Sequence, residues 1–122
     1  MFMKLAIPVN EDQQTICISY GRTPFFAIRD TEQGVTQYID NSAAASQGGA
    51  GILASQALLD HGVQAVLTPH CGENAAKVLR EADVSIYRTK GDSVEENVAA
   101  FLDGSLSPLT DIHPGYHGNV GG

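Results

Sequence analysis

The amino-acid sequence predicts an α/β fold in which a mixed sheet is covered by three helices. The first forty residues hold short apolar runs separated by polar turns, which is typical of neighbouring antiparallel strands. After Asn41, helical apolar spacing alternates with short buried runs, which is typical of strands joined by helices. The hydrophobic fraction of 43% in 122 residues allows one continuous core.

Strands are predicted in the first part of the chain at residues 5–9, 15–18, 25–28 and 35–39. Pro8 lacks a backbone N–H, so the first strand should be bulged there or lack one neighbour. In the second strand, Ile16 and Ile18 should share one face while Cys17 lies on the other.

The second part of the chain predicts helices at residues 52–61 and 74–82 and strands at residues 63–67 and 84–87. The apolar stripe of the first helix includes Leu53 and Ala57, and Gly62 is predicted to end the helix. The third helix starts at a capping box, with Ser93 as N-cap and Glu96 at the third helical position, and Gly104 ends it.

Charge and composition restrict the partners. Lys and Arg number 7 against 14 Asp and Glu, giving a net charge of -7 that is scattered along the chain. This argues against nucleic acid or an anionic membrane surface, because both need a basic patch. No disulfide framework, signal-peptide layout or membrane span is apparent, so we expect a cytoplasmic protein with reduced thiols.

The turn at residues 68–74 is the most informative stretch, because a buried strand leads there into a helix start. The free N–H groups and positive dipole of that helix should lower the pKa of the Cys71 thiol and favour the thiolate that binds metal. His70 and Cys71 are therefore candidate metal ligands, although adjacent residues rarely bind one ion together. The alternative is a buried small cysteine beside a surface histidine.

A glycine run precedes the first helix, and Gly48, Gly49 and Gly51 are candidates for binding a cofactor through the backbone. The run is not a P-loop, and close helix-to-sheet packing is the alternative explanation. Arg22 lies in a loop between two predicted strands, where it could meet an anion or pair with an acidic side chain.

Two histidines, His113 and His117, lie in a tail rich in glycine and proline. We predict one domain at residues 1–105 and a tail at residues 106–122. A turn could bring the two imidazoles together as metal ligands for the same chain or for a neighbouring subunit. The alternative is a disordered polar tail.

Residues 3–9, 21–26, 48–52 and 65–76 together resemble the dinitrogenase iron–molybdenum cofactor biosynthesis family, which includes NifX-like proteins and the carboxyl-terminal domain of NifB-like proteins. The resemblance covers roughly residues 3 to 103. It implies a ribonuclease-H-like motif with a mixed sheet of about five strands. It also implies non-catalytic binding or carriage of an iron–sulfur or molybdenum-containing cofactor. The glycine run and the loop with Cys71 and Gly72 match landmarks of the family.

The favoured hypothesis is a carrier of a metal centre or anionic metallocofactor, with metal ligands drawn from His70, Cys71, His113 and His117. Arg22 and the backbone of the glycine residues would assist an anionic cluster. Expected partners are the metallocofactor or its precursor, an apo-enzyme recipient and a second copy of the chain. The alternative is a metal-free binding or regulatory module for a small anion or a protein partner. No catalytic residue can be nominated, and a Cys71-dependent activity is the remaining enzyme hypothesis.

Overall fold

The computed structural model describes residues 3–109 and shows one five-stranded sheet with three α-helices. The predicted α/β class and the mixed sheet are confirmed. A short 3-10 helix at Ser42–Ala45 follows the third strand. In chain order the elements are β1 Lys4–Val9, β2 Phe25–Asp30, β3 Thr36–Asp40, α1 Ala50–Asp60, β4 Ala65–Thr68, α2 Glu73–Glu81, β5 Ser85–Arg88 and α3 Val94–Leu102.

The strand order in the sheet is β3-β2-β1-β4-β5. β1, β2 and β3 pair antiparallel, as predicted for strands so close in sequence, whereas β4 is parallel to β1 and to β5. The ladder between β1 and β4 is limited to Leu5 and Ala6. Pro8 therefore lacks a β4 neighbour, which confirms the prediction made from its missing N–H.

The predicted strand at residues 15–18 is wrong. Thr15 and Ile16 form only isolated bridges, Thr15 to Ser93 and Ile16 to Val9 at the end of β1, and no ladder extends from either bridge. Ile16 is buried but Ile18 is 72% exposed, so the two do not share a face. The chain leaves the sheet at this point and turns towards the surface.

Two apolar cores lie on opposite faces of the sheet. The first contains Ala54 and Leu58 of α1 together with Leu79 of α2, and the second contains Val94 and Val98 of α3. The predicted stripe of α1 is partly wrong, because its buried positions are Ala50, Ala54, Ser55 and Leu58, whereas Leu53 and Ala57 are exposed. The stripe is rotated because α1 packs against α2 as well as against the strand residues of the first core.

The structure confirms the predicted N-cap of α3 and the predicted glycines at the ends of α1 and α3. The Ser93 hydroxyl accepts a hydrogen bond from the Glu96 N–H at 3.2 Å and caps α3. Gly62 and Gly104 follow the ends of α1 and α3 with φ angles of 76° and 83°, which only glycine adopts readily.

Residues just beyond position 105 still pack on the fold, since Leu106 and Leu109 are buried. The Arg88 N–H donates to the Ser107 carbonyl and the Leu109 N–H donates to the Ile86 carbonyl, both at 2.9 Å. This short segment covers the outer edge of β5. Across residues 3–109, no helix is long and apolar enough to cross a membrane.

Candidate functional site

An open cavity of about 700 Å³ lies where β4 runs into α2. It is lined by three segments, at residues 18–22, 49–52 and 70–75. These segments are the loop before β2, the first turn of α1, and the turn and first residues of α2. Of the predicted site residues, the cavity brings together Arg22, Gly49, Gly51, His70, Cys71 and Gly72.

Both helices that reach the cavity begin without a side-chain cap. Gly49 is the N-cap of α1 and Gly72 is the N-cap of α2, and neither can offer a side-chain oxygen to the first-turn N–H groups. Such groups carry the positive end of the helix dipole and are donors for an anion. The first turn of α1 contains no acidic residue, whereas that of α2 contains the exposed Glu73, whose charge opposes an anion.

Close backbone approaches at two glycines bring the three cavity segments together: Gly51 of α1 lies against α2, and Gly21 of the loop before β2 lies against α1. A Cβ placed on Gly51 would lie 3.1 Å from the Cβ of Ala75, and one placed on Gly21 would lie 2.9 Å from the backbone nitrogen of Gly51. Gly51 therefore serves close packing, but against helix α2 instead of the sheet. Gly48 and Gly49 have open space around them, and Gly48 does not line the cavity.

Arg22 is exposed at the rim of the cavity. Its Nη1 donates to the Ala44 carbonyl at 2.8 Å and to the Ser46 carbonyl at 2.9 Å, so it is paired with carbonyl groups and not with an acid. Within residues 3–109, its Nε and Nη2 atoms make no hydrogen bond. The guanidinium thus ties the loop before α1 to the cavity while keeping donors available.

The loop before β2 is held in place by buried polar side chains that were not predicted from the sequence. Asn41 Nδ2 donates to the carbonyls of Gly21 and Thr23, at 3.0 and 2.9 Å. The Tyr20 hydroxyl and Ser55 Oγ lie 2.9 Å apart and both side chains are buried. Burial raises the pKa of Tyr20, so it stays protonated. These contacts join residues far apart in sequence, so no local pattern could reveal them.

The expectation of an ionised Cys71 is wrong. Its side chain is only 1% exposed and belongs to the first apolar core, although the residue also lines the cavity. Burial raises the pKa of the Cys71 thiol to about 11, and the positive charge of Arg80 offsets this only in part. Desolvation penalises the thiolate more than nearby positive charge favours it. The group is therefore a thiol at neutral pH.

His70 is exposed at the cavity, and its carbonyl accepts a hydrogen bond from the Thr68 hydroxyl at 2.8 Å. No group of three or more His, Cys, Asp or Glu residues in the described part of the chain could hold a metal ion. His113 and His117 lie outside the described residues. The donor set at the cavity consequently suits an anion better than a bare metal cation.

The model of the family described as dinitrogenase iron-molybdenum cofactor matches residues 1–104. The chain belongs to this family. Membership confirms the resemblance inferred from the sequence and relates the chain to cofactor assembly. An uncharacterized protein of Methanocaldococcus jannaschii is 27% identical over 107 residues, which cover 85% of this chain and 89% of that protein.

Solved structures support the same assignment. The apo form of the orange protein from Desulfovibrio gigas superimposes with a TM-score of 0.83 and 25% identity, covering 90% of this chain and 95% of that one. A proposed NifB protein from Thermotoga gives a TM-score of 0.76 and 30% identity, covering 93% and 98%. Both comparisons span nearly the whole described fold.

Proposed function

We propose that the cavity binds a preassembled anionic metallocofactor, of the iron–sulfur or molybdenum-containing kind, or its precursor, and carries it without catalysis. The observation that carries this proposal is the convergence of two helix N-termini without side-chain caps on one open cavity. The family to which the chain belongs supports the same class of ligand.

Local electrostatics favour an anion in this place despite the net charge of -7. Backbone N–H groups at the starts of α1 and α2 and the guanidinium of Arg22 supply positive potential at the cavity. The volume of about 700 Å³ suits a ligand of small-molecule size. Glu73 opposes the ligand from the rim, and its exposure to water weakens that repulsion.

The residues present fit a cluster that arrives already assembled. Its sulfur or oxygen atoms would accept hydrogen bonds from the helix starts and from Arg22. Cys71 and His70 remain the candidate ligands to its metal. Cys71 would have to lose its proton, which the charge of a bound metal favours. A free metal ion finds no complete ligand set among residues 3–109.

The proposal is tested by titrating the anaerobically purified protein with tetrathiomolybdate, and separately with iron and sulfide, while recording the absorption of protein-bound metal after gel filtration. We expect Arg22→Gln to weaken tetrathiomolybdate binding about fivefold. Lys77→Gln is the matched control, because it makes the same change of charge at an exposed position of α2 outside the cavity lining. Equal effects of the two substitutions, or no binding by the native protein, would contradict the proposal.

A second candidate is a metal-free module for a small organic anion. The protonated Cys71 and the lack of a three-residue metal cluster among residues 3–109 favour it. Elemental analysis and native mass spectrometry of anaerobically purified protein separate the two functions. A bound organic acid without stoichiometric metal would favour this candidate, whereas bound molybdenum or iron with sulfide would favour the carrier.

A further inference from the structure

Two buried hydroxyl groups lie beside the cavity, where its three lining segments meet. The Tyr20 hydroxyl of the loop before β2 lies 2.9 Å from Ser55 Oγ of α1. Ser55 Oγ donates in turn to the Ala75 carbonyl of α2 at 3.4 Å, the longer of the two contacts. Tyr20 is 4% exposed and Ser55 is fully buried. The two side chains therefore link the loop, α1 and α2 through hydrogen bonds that are shielded from bulk water.

The direction of these hydrogen bonds follows from the number of protons, since a hydroxyl group has one hydrogen to donate. Because the Ser55 hydrogen is directed at the Ala75 carbonyl, the Tyr20 hydroxyl donates to Ser55 Oγ. The result is an ordered chain of two hydrogen bonds. Such a chain fixes its members more narrowly than apolar packing does, because hydrogen bonds weaken steeply as their angle departs from the optimum.

Other contacts hold the loop before β2 towards a different part of the fold. Asn41 Nδ2 donates to two carbonyls of the loop, and Arg22 Nη1 donates to two carbonyls of the segment that leads into α1. The Tyr20 hydroxyl instead reaches α1 itself and, through Ser55, the first turn of α2. The Tyr20 and Ser55 pair thus connects the loop with both helices that begin at the cavity.

Stability alone does not require this pair of hydroxyl groups. The rings of Tyr20 and Phe26 make an edge-to-face contact with centroids 5.4 Å apart, which does not depend on the hydroxyl. Replacing both members of a buried hydrogen-bonded pair with apolar groups of the same shape is nearly neutral for stability. A buried polar pair that adds little net stability can instead specify one geometry.

We propose that Tyr20 and Ser55 are positioning residues for the anion, whose hydrogen bonds set the distance and angle between the loop with Arg22 and the starts of α1 and α2. This inference rests on the proposed function. Arg22 lies two residues from Tyr20, and Gly51 lies one helical turn before Ser55. A shift at the pair therefore moves the guanidinium relative to the first turn of α1. Binding groups must be held within about 0.5 Å of their productive geometry to keep their contribution.

Thermal unfolding and tetrathiomolybdate titration of the same variants test this role. Ser55→Ala removes the acceptor of the buried Tyr20 hydroxyl and should lower the melting temperature by about 5–10 °C. The double variant Tyr20→Phe/Ser55→Ala removes both polar groups and should melt within about 3 °C of the native protein. We expect this double variant to bind tetrathiomolybdate about fivefold more weakly although its stability is restored. Tyr87→Phe is the matched control with unchanged affinity, because Tyr87 makes the same edge-to-face contact, with Phe101, outside the cavity lining.

The coupling between Arg22 and the pair separates positioning from a purely structural role. Arg22→Gln should weaken binding about fivefold in the native background but less than about twofold in the double variant, where the guanidinium is no longer aligned. A role in stability alone would leave the effect of Arg22→Gln the same in both backgrounds. Native affinity in the double variant, an undiminished effect of Arg22→Gln in it, or equal weakening by Tyr87→Phe overturns this inference alone. A native protein that binds no tetrathiomolybdate overturns the proposed function and this inference with it.

Discussion

Helix α3 and the pair α1 and α2 begin in different ways. The α3 N-terminus is closed by the Ser93 hydroxyl, and Glu95 and Glu96 place negative charge in its first turn. It packs in the second core, and none of its residues lines the cavity. The starts of α1 and α2 have glycine at the N-cap and face the cavity.

The difference between capped and uncapped helix N-termini indicates which of them contribute to stability and which can bind a ligand. A helix start whose N–H groups are satisfied by its own side chains has no donors left for a ligand. In α3 the Glu96 N–H donates to the Ser93 hydroxyl and the Val94 N–H donates to the Gln14 carbonyl. α1 and α2 forgo the cap, which costs little when glycine replaces serine, and keep donors directed at an open cavity.

The largest effect is expected from Gly21→Ala. A Cβ there meets the backbone of Gly51 at 2.9 Å, so the loop and the start of α1 must separate. We expect a loss of about 2–3 kcal/mol in the free energy of unfolding, measured by urea denaturation. Gly48→Ala, with nothing within 4 Å of the new methyl group, should change it by less than about 1 kcal/mol. Equal losses would show that the close approach is not what requires glycine.

A pH effect comes next, from Cys71 just before α2. Its pKa is raised from 9.0 to about 11 by burial, so folding favours the protonated thiol. The resulting stability is fully present below pH 9.0 and is lost as the pH rises towards 11. Over this window we expect a loss on the order of 2 kcal/mol in the native protein. Thermal unfolding across the window should show a shallower decline in Cys71→Ala, and parallel curves would mean that the thiol ionises normally.

Removing the α3 cap should have a smaller effect. Ser93→Ala leaves the Glu96 N–H without its partner and should lower the free energy of unfolding by about 1 kcal/mol. Because α3 is remote from the cavity, tetrathiomolybdate binding should be unchanged. Urea denaturation and the metal titration measure the two quantities. If Ser93→Ala also lowered the affinity for tetrathiomolybdate, the cap of α3 would affect binding as well as stability, and the contrast with α1 and α2 would not hold.

The smallest change in stability is expected from Gly72→Ser. Gly72 has extended φ and ψ angles of -71° and 160°, and a Cβ there meets open space, so serine can cap α2. The free energy of unfolding should rise by about 0.3 kcal/mol. The affinity for tetrathiomolybdate should fall about threefold, because the new hydroxyl accepts a hydrogen bond from an N–H group of the first turn. Gly72→Ala provides the control without a hydroxyl. Unchanged affinity in Gly72→Ser would mean that this helix start does not hold the anion.

Features that depend on neighbouring residues could be predicted from the amino-acid sequence. The capping box of Ser93 and Glu96, the stops at Gly62 and Gly104 and the alternation of strands and helices all follow from local backbone chemistry. The same local signals placed a turn and a helix start around Cys71. They also placed Gly49 just before a helix.

The surroundings of these residues, in contrast, depend on how distant segments of the chain pack together. The exposure of Ile18, the burial of Cys71 and the carbonyl partners of Arg22 depend on segments distant in the chain. The sign of the Cys71 pKa shift follows from how deeply the core encloses the thiol, and desolvation is a property of the packed fold. The convergence of two helix starts likewise depends on Gly51 meeting Ala75 across the helix pair, a contact that local spacing cannot predict.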